Sequence, residues 1–313
     1  MKPITHVKKT LLFLVLSFAV AGCATTGRVG SKSVLIEHPE RFFWEIKGEK
    51  GSVYVLGTVH VADKTFFPLE KNILEAFDTA DRLVSELGGA ESAQAFAGAM
   101  QTVIPKNMNA ADSDKNLLHV LSEDELAFLY EKLGDDAVQQ FALFNPWILN
   151  LILTQLLLNQ AGLNAEDGID TYLIQRAKNK KIEALDTAQQ QIAALSYGSF
   201  EDQLAILKDT IKVLQEPDKT MEEIRTLRNL YLTNDRERLS ALLLELLLQV
   251  SPSFTAEKTQ AYIDVLLTDR NRSWARKFDK YLQAGGKTFV FAGAAHFLGK
   301  SSVFEIMRQK GSL

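Results

Sequence analysis

Residues 11–21 form an unbroken apolar or small run behind Lys2, Lys8 and Lys9, whereas beyond residue 34 apolar and polar positions alternate with recognisable periods. The opening run has the layout of a secretory signal peptide over residues 1–22. It is too short to cross a bilayer as a helix, which takes about 20 residues. Residues 41–46 and 52–56 are rich in aromatic and β-branched side chains and are separated by a polar, glycine-containing stretch, which predicts a hairpin. A helix over residues 69–79 then leads to a third strand, residues 82–86. From residue 90 to 283 helical spacing dominates, interrupted by the strand-like run 181–185. A last strand over 287–291 and a last helix over 301–309 close the pattern.

Helix starts are marked by Ser122-Glu123-Asp124-Glu125, Ser199-Phe200-Glu201-Asp202 and Thr220-Met221-Glu222-Glu223, all of the capping-box form. Asn145-Pro146 reads as an N-cap followed by proline in the first turn. The helix it opens, 147–160, is apolar nearly all round but is broken by Asn150, Thr154 and Asn159, and so predicts a buried bundle helix rather than a membrane span. Residues 241–250 read the same way. No Pro/Gly-rich linker divides the chain after residue 34. The expectation is one α/β domain, residues 34–313, with a central mixed sheet built from the N-terminal hairpin and strands of both chain ends, and a large helical insertion over about 90–284.

Composition narrows the function. The 313 residues are 46% hydrophobic and 24% charged, enough apolar material for a sizeable core, and the net charge of −4 disfavours binding to nucleic acid. One cysteine excludes an internal disulfide and a Cys-rich zinc site. That residue, Cys23, ends Val20-Ala21-Gly22-Cys23, which resembles the bacterial lipobox, where the cysteine is acylated and becomes the mature N-terminus. Residues 23–33 are then an acylated start and a polar tether holding the domain to the membrane. Ala24 in place of aspartate implies the outer membrane of a Gram-negative cell envelope.

The chemistry sits in an echo. Val53-Tyr54-Val55-Leu56-Gly57-Thr58-Val59-His60 returns as Phe289-Val290-Phe291-Ala292-Gly293-Ala294-Ala295-His296. Each phrase is a buried strand, a glycine that allows a sharp turn or close backbone approach, two small or apolar residues, and a histidine at the sheet rim, where α/β proteins bind ligands. A lone strand-end histidine is best read as a structural side chain; two in matched settings point to a shared site. Glu86 ends another strand and is either a solvated acid or a third donor at the same rim. Two imidazoles and a carboxylate suit a divalent metal that keeps open positions. Leu267, Trp274, Phe278 and Leu282 form a buried helical stripe that carries Asn271 and Arg270 inward, either to brace the fold or to face the site. Asp167 and Asp170, near Gly168, read as acids complementing a helix dipole. Phosphate-loop, nucleophile-elbow and His-Glu-x-x-His motifs are absent, which removes the usual sequence support for nucleotide hydrolysis, serine-type acyl transfer and zincin chemistry.

Together these residues resemble the TraB/GumN family, to which the TIKI metalloproteases are related. The resemblance runs from Trp44 to Gly311 and includes Gly57-Thr58-Val59-His60, Phe67-Pro68-Leu69, Asp81-Arg82-Leu83-Val84, Asn145-Pro146-Trp147 and Gly168-Ile169-Asp170. It continues through Leu185-Asp186-Thr187, Arg270-Asn271-Arg272-Ser273-Trp274 and Gly293-Ala294-Ala295-His296. Asp186 departs from the Leu-Glu-Thr common in the family. The resemblance implies a fold similar to erythromycin-esterase-like (EreA) and haem-binding ChaN-like proteins. It also implies a metal-dependent peptidase in which His60, His296 and Glu86 hold the metal, manganese or cobalt by the TIKI likeness and zinc by histidine ligation alone. Glu86, if not a ligand, is the general base, and Arg270 with Asn271 stabilises the oxyanion. Peptides or proteins are the implied substrates. The alternatives are a surface lipoprotein that binds haem, metal or peptide without turnover, and a metal-free hydrolase in which a histidine paired with Glu86 acts as base.

Overall fold

The computed structural model describes residues 33–178 and 180–313. The signal segment, Cys23 and most of the tether lie outside the described residues. Six strands form one mixed sheet: β1 (Val34–Glu37), β2 (Phe43–Lys47), β3 (Gly51–Thr58), β4 (Arg82–Ser85), β5 (Ile182–Ala184) and β6 (Gly286–Gly293), in the order β1-β2-β3-β6-β4-β5. The expected hairpin is the antiparallel pair β2–β3. β3, β6, β4 and β5 are mutually parallel, so their carboxyl ends share one edge. The fold class read from the sequence is the one observed, an α/β sheet drawing strands from both chain ends with a long helical stretch between β4 and β6. β1 was not foreseen; it pairs along β2, and its four residues, half-buried at Leu35 and Ile36 and exposed at Val34 and Glu37, make a run too short to stand out.

β3 and β6 owe their central places to their residues. Val53, Val55 and Leu56 of β3 and the run Phe289–Ala292 of β6 are fully buried, as expected for strands covered on both faces. Phe77 from the helix Lys71–Asp78 meets the rings of Phe289 and Phe291 edge-on at 5.3 and 6.1 Å. On the other side, the helix Asp269–Ala284 buries Trp274, Phe278 and Leu282, the predicted stripe.

Two of the three predicted capping boxes form, at Ser122 and Ser199. The third does not: Thr220 lies inside the helix Pro217–Leu232, where its buried hydroxyl donates to the carbonyls of Val213 and Glu216. Proline in the first turn had already opened that helix. A further box, Thr187 with Gln190, starts the helix Ala188–Leu195. Asn145 does precede the helix Pro146–Gln160, but its side chain bonds Asn107 and Asn109 instead of capping. No described helix is long and apolar enough to cross a membrane.

Candidate active site

The parallel register brings the echoed phrases side by side. Thr58 pairs with Gly293 at the last rung of β3 and β6, so His60 leaves the rim two residues later while His296 follows in the short turn Ala294–Phe297. On the other flank of β6, Ser85 pairs with Phe291, which puts Glu86 at the same edge. The backbone pairing of β4 and β5 continues past the strands, with Asp186 N–H donating to the Glu86 carbonyl at 2.9 Å. Four chain segments up to 236 residues apart in number, 60 to 296, thus meet at one corner.

Each imidazole is held in a defined tautomer. His60 Nδ1 lies 3.0 Å from Asp170 Oδ2, and the other oxygen of Asp170 accepts from Thr58 Oγ1 at 2.8 Å. A carboxylate can only accept, so the proton is on Nδ1 and Nε2 faces Glu86 Oε2 at 3.6 Å. For His296, Asn271 Nδ2 donates to the Ser301 carbonyl at 2.8 Å, which leaves Asn271 Oδ1 to accept from His296 Nδ1 at 2.5 Å. His296, neutral, therefore carries its lone pair on Nε2. The His296 ring also packs on Trp274, centroids 4.0 Å apart.

Glu86 is gripped from its other side. Oε1 accepts from Arg270 Nη2 and from Gln191 Nε2, the latter at 2.6 Å, while Oε2 faces His60 and the Gly293 N–H. Arg270 also donates through Nε to Asp186 Oδ2 at 2.7 Å and through Nη1 to the Leu266 carbonyl at 2.8 Å. Trp274 Nε1 donates to the second oxygen of Asp186. Each guanidinium nitrogen of Arg270 thus makes one contact, three of its five N–H donors being engaged, and the residue holds Glu86 in place. Asn271, fully buried, likewise positions His296.

Two glycines make the corner possible. A Cβ on Gly168 would lie 2.3 Å from the His60 carbonyl oxygen, so only glycine lets the helix Ile169–Ala177 bring Asp170 this close. A Cβ on Gly293 would stand 3.4 Å from His60 Nε2, 3.8 Å from Glu86 Oε2 and 3.8 Å from His296 Cδ2. The missing side chain leaves the point where the three groups converge.

The charges follow from burial and partners. For Glu86, burial pushes the pKa up, but Arg270 and the histidines overcome this and hold it well below the usual carboxylate range. Such a carboxylate is ionised and a weak base. For His60, burial lowers the pKa and Asp170, then Glu86, reverse this; the side chain is about half exposed at 49%, so solvent screens these charges, and the net direction is upward. His296 goes the other way, lowered well below its ordinary value by burial and by Arg270. Asp186 is raised by burial against the pull of Arg270 and Trp274.

These shifts predict a stability profile for the metal-free protein. His296 stays neutral in the fold while the unfolded chain takes its proton near 6.5, so below that pH the unfolded state binds more protons and stability falls, by up to about 1.4 kcal/mol per pH unit for one group. His60, raised in the fold, contributes fully below 6.5 and loses its share as pH climbs above it. Asp186 and Glu223, raised in the fold, gain stability as pH falls and offset this in the whole-protein curve, so the His296 contribution is read by urea denaturation as the difference between the protein and His296→Asn, expected to shrink from pH 6.5 to 5. A difference that stays constant over that interval would mean that His296 accepts a proton in place.

The TraB/PrgY/gumN family matches residues 42–312. The chain belongs to this family. It is 35% identical to an uncharacterized protein of Treponema pallidum, over 96% of this chain and 89% of that one. It is 25% identical to the uncharacterized protein YbaP of Escherichia coli, over 82% and 87% of the two chains. It is also 24% identical to Metalloprotease TIKI1 of Danio rerio, over 86% of this chain and 62% of that protein. No solved structure matches the chain.

Of the residues singled out in the sequence, His60, His296, Glu86, Arg270 and Asn271 all meet at the rim of this family member. Asp170 was read there as a helix-dipole acid and is instead the partner of His60. Gln191 was not singled out at all, since a glutamine in the first turns of a polar helix gives no signal before the helix is docked.

Proposed function

We propose that the protein is a metal-dependent hydrolase, a peptidase in its chemistry, working as a lipid-anchored protein of the cell envelope. The observation that carries this reading is the pair of imidazoles whose Nδ1–H groups are spent on Asp170 and Asn271, turning both Nε2 atoms to the corner beside an ionised Glu86 oxygen, where a metal would take the place of the proton that Glu86 favours on His60 Nε2. A carboxylate or carbonyl behind a histidine is how metal ligands are oriented and made more basic. The separation of 3.6 Å between His60 Nε2 and Glu86 Oε2 is close to that of two atoms bound to one tetrahedral ion at roughly 2.1 Å each. Among the described residues no group of three such side chains has the spacing of a formed centre, so the third donor, His296, has to approach the other two.

The donor set therefore fits zinc, manganese or cobalt in chemistry, with His60, His296 and Glu86 as the residues that would hold it. A divalent ion there would polarise a carbonyl and make water a nucleophile at neutral pH. The protein's own groups have separate tasks. Asp170 and Asn271 fix the imidazoles, while Arg270 and Gln191 keep Glu86 ionised and turned to the corner. The relative named Metalloprotease TIKI1 supports the same reaction class.

The test is peptide hydrolysis by the soluble chain from Ser33 onward. Dialysis against a chelator is expected to abolish turnover, and added manganese, cobalt or zinc to restore it. Turnover that survives chelation would reject the metal and leave His60, with Asp170 behind it, as a metal-free base. Stoichiometric ligand retention without product would instead identify a binding protein. The anchor is tested separately: Cys23→Ser is expected to abolish incorporation of labelled palmitate and to release the protein from the membrane fraction, and unchanged fractionation would reject lipidation.

A further inference from the structure

The described chain starts at the end of the sheet opposite the histidine corner. Val34 of β1 pairs with Lys47, Lys47 with Ser52 and Ser52 with Lys287, one rung crossing four strands at the amino ends of β3 and β6. Ser33 is tied to the same end, its N–H donating to the Ser312 carbonyl at 3.1 Å. The corner lies past Thr58 and Gly293, six residues further along β3 and β6 and so roughly 20 Å away.

This amino edge is basic although the chain as a whole is acidic. Lys47, Lys50 and Lys287 are exposed, and none of them has a carboxylate partner among the described residues. Beyond β4, the exposed Lys180 and Lys181 stand just before β5 at the same edge. Most acids here are already engaged: Asp78 accepts from Arg176 Nε at 2.9 Å, Glu183 faces Arg82 at 3.4 Å, and Asp81 accepts the Lys287 N–H at 2.8 Å. Glu49, between Lys47 and Lys50, stays exposed. A helix C-terminus explains a lysine such as Lys178, after the helix Ile169–Ala177. Lys47 and Lys50 flank a hairpin turn, where no helix ends.

We propose that this edge docks on the anionic headgroups of a phospholipid bilayer and so holds the histidine corner facing away from the membrane. The inference rests on the lipid-anchored reading for its point of attachment. Cys23 is ten residues from Ser33, so an acyl group there lies within about 35 Å of this edge, and those ten residues carry Arg28 and Lys32 and no acid. An acyl chain fixes where the protein is held but not which way it faces. A basic face supplies the second signal, strengthening attachment to an anionic surface by about 5-fold per lysine. The attraction reaches only about 8 Å at physiological ionic strength, so the local face counts and the net charge of −4 does not. The corner then opens to the aqueous compartment, where peptides reach it and the lipids of the supporting leaflet do not.

The test uses the purified full chain as the cell processes it, and the lysines are their own reporters. Acetylation by acetic anhydride is followed residue by residue with mass spectrometry, with vesicles of phosphatidylethanolamine and phosphatidylglycerol, with vesicles of phosphatidylcholine, and without lipid. The phosphatidylglycerol vesicles are expected to slow the acetylation of Lys47, Lys50 and Lys287 by about 5-fold or more and to leave Lys64 and Lys300, exposed and each four residues past a corner histidine, unchanged. Phosphatidylcholine is expected to protect none of the five. Salt at about 1 M, where the attraction reaches only about 3 Å, is expected to remove the protection. The triple variant Lys47→Gln, Lys50→Gln, Lys287→Gln is expected to weaken binding to phosphatidylglycerol vesicles by about 10-fold or more, and Lys64→Gln with Lys300→Gln to leave it as it was. The footprint on the parent protein stands whether or not the triple variant folds.

Protection of the amino edge in a protein that floats only with phosphatidylglycerol vesicles, never with phosphatidylcholine, would sustain the docking face while removing the acyl anchor. No protection, equal protection of both edges, or protection that survives high salt would overturn the face. Protection by polyglutamate and not by vesicles would hand the edge to an acidic protein and overturn it as well.

Discussion

His296→Ala is expected to cut kcat/KM for peptide hydrolysis by more than about 100-fold, beyond the 10- to 100-fold that removal of an outer partner of a metal ligand costs. The ring supplies one of the two imidazole Nε2 atoms turned to the corner beside Glu86. Asn271→Ala leaves the ring but frees it to rotate, and its loss is expected to stay within the smaller range. The ordering of the two variants, measured with saturating manganese and again at limiting metal, is therefore the informative result. If His296 binds the ion, excess metal recovers much of the Asn271→Ala deficit and none of the His296→Ala deficit. Equal and metal-independent losses would show that the pair only supports the packing of Trp274, and activity within a few-fold of the parent would place the reaction elsewhere.

The second large effect is on stability. Arg270 sits between two buried carboxylates, Glu86 and Asp186, with all three side chains about 10% exposed or less. Arg270→Met removes the only cation of this triad and leaves two like charges in an apolar setting, a change expected to cost about 3–5 kcal/mol. Asp186, already raised by burial, is then the group that takes up a proton. Urea denaturation checks this: the midpoint is expected to fall with the slope unchanged, the signature of lost stability rather than a looser native state. The double variant Arg270→Met with Glu86→Gln is expected to regain part of the loss, because replacing a buried ion pair with neutral groups costs much less than breaking it. A loss under about 1 kcal/mol for the single variant would mean that water reaches the triad and screens it.

Much of this arrangement is written locally. The buried strands flanking Gly57 and Gly293 announce themselves by uninterrupted apolar runs, and the matched histidines by their equal distance from the glycines. The inward turn of Arg270 and Asn271 follows from helical spacing against Trp274, although spacing does not tell a positioning guanidinium from a catalytic one. Only the docked structure shows its contacts with Glu86, Asp186 and Leu266. What stays hidden depends on docking between distant segments. Asp170 is in the first turn of a helix, where an acid is explained by the dipole alone, and its attachment to His60 exists only because Gly168 lets two backbones touch. Thr220 misled for a related reason: its sequence neighbourhood has the capping form, but Pro217 starts the helix one turn earlier and the hydroxyl is used internally. β1 is recognisable only once β2 offers it an edge.

β6 lies between β3 and β4, although it is made last of the three. A ribosome that has completed residues 34–280 has released both His60 and Glu86, yet the middle of the sheet does not exist and the two flanks have nothing to align them. The corner is thus assembled only once residues 286–293 slot into the gap. A chain cut short before β6 carries most of the protein's mass but lacks His296 and the strand that aligns His60 with Glu86.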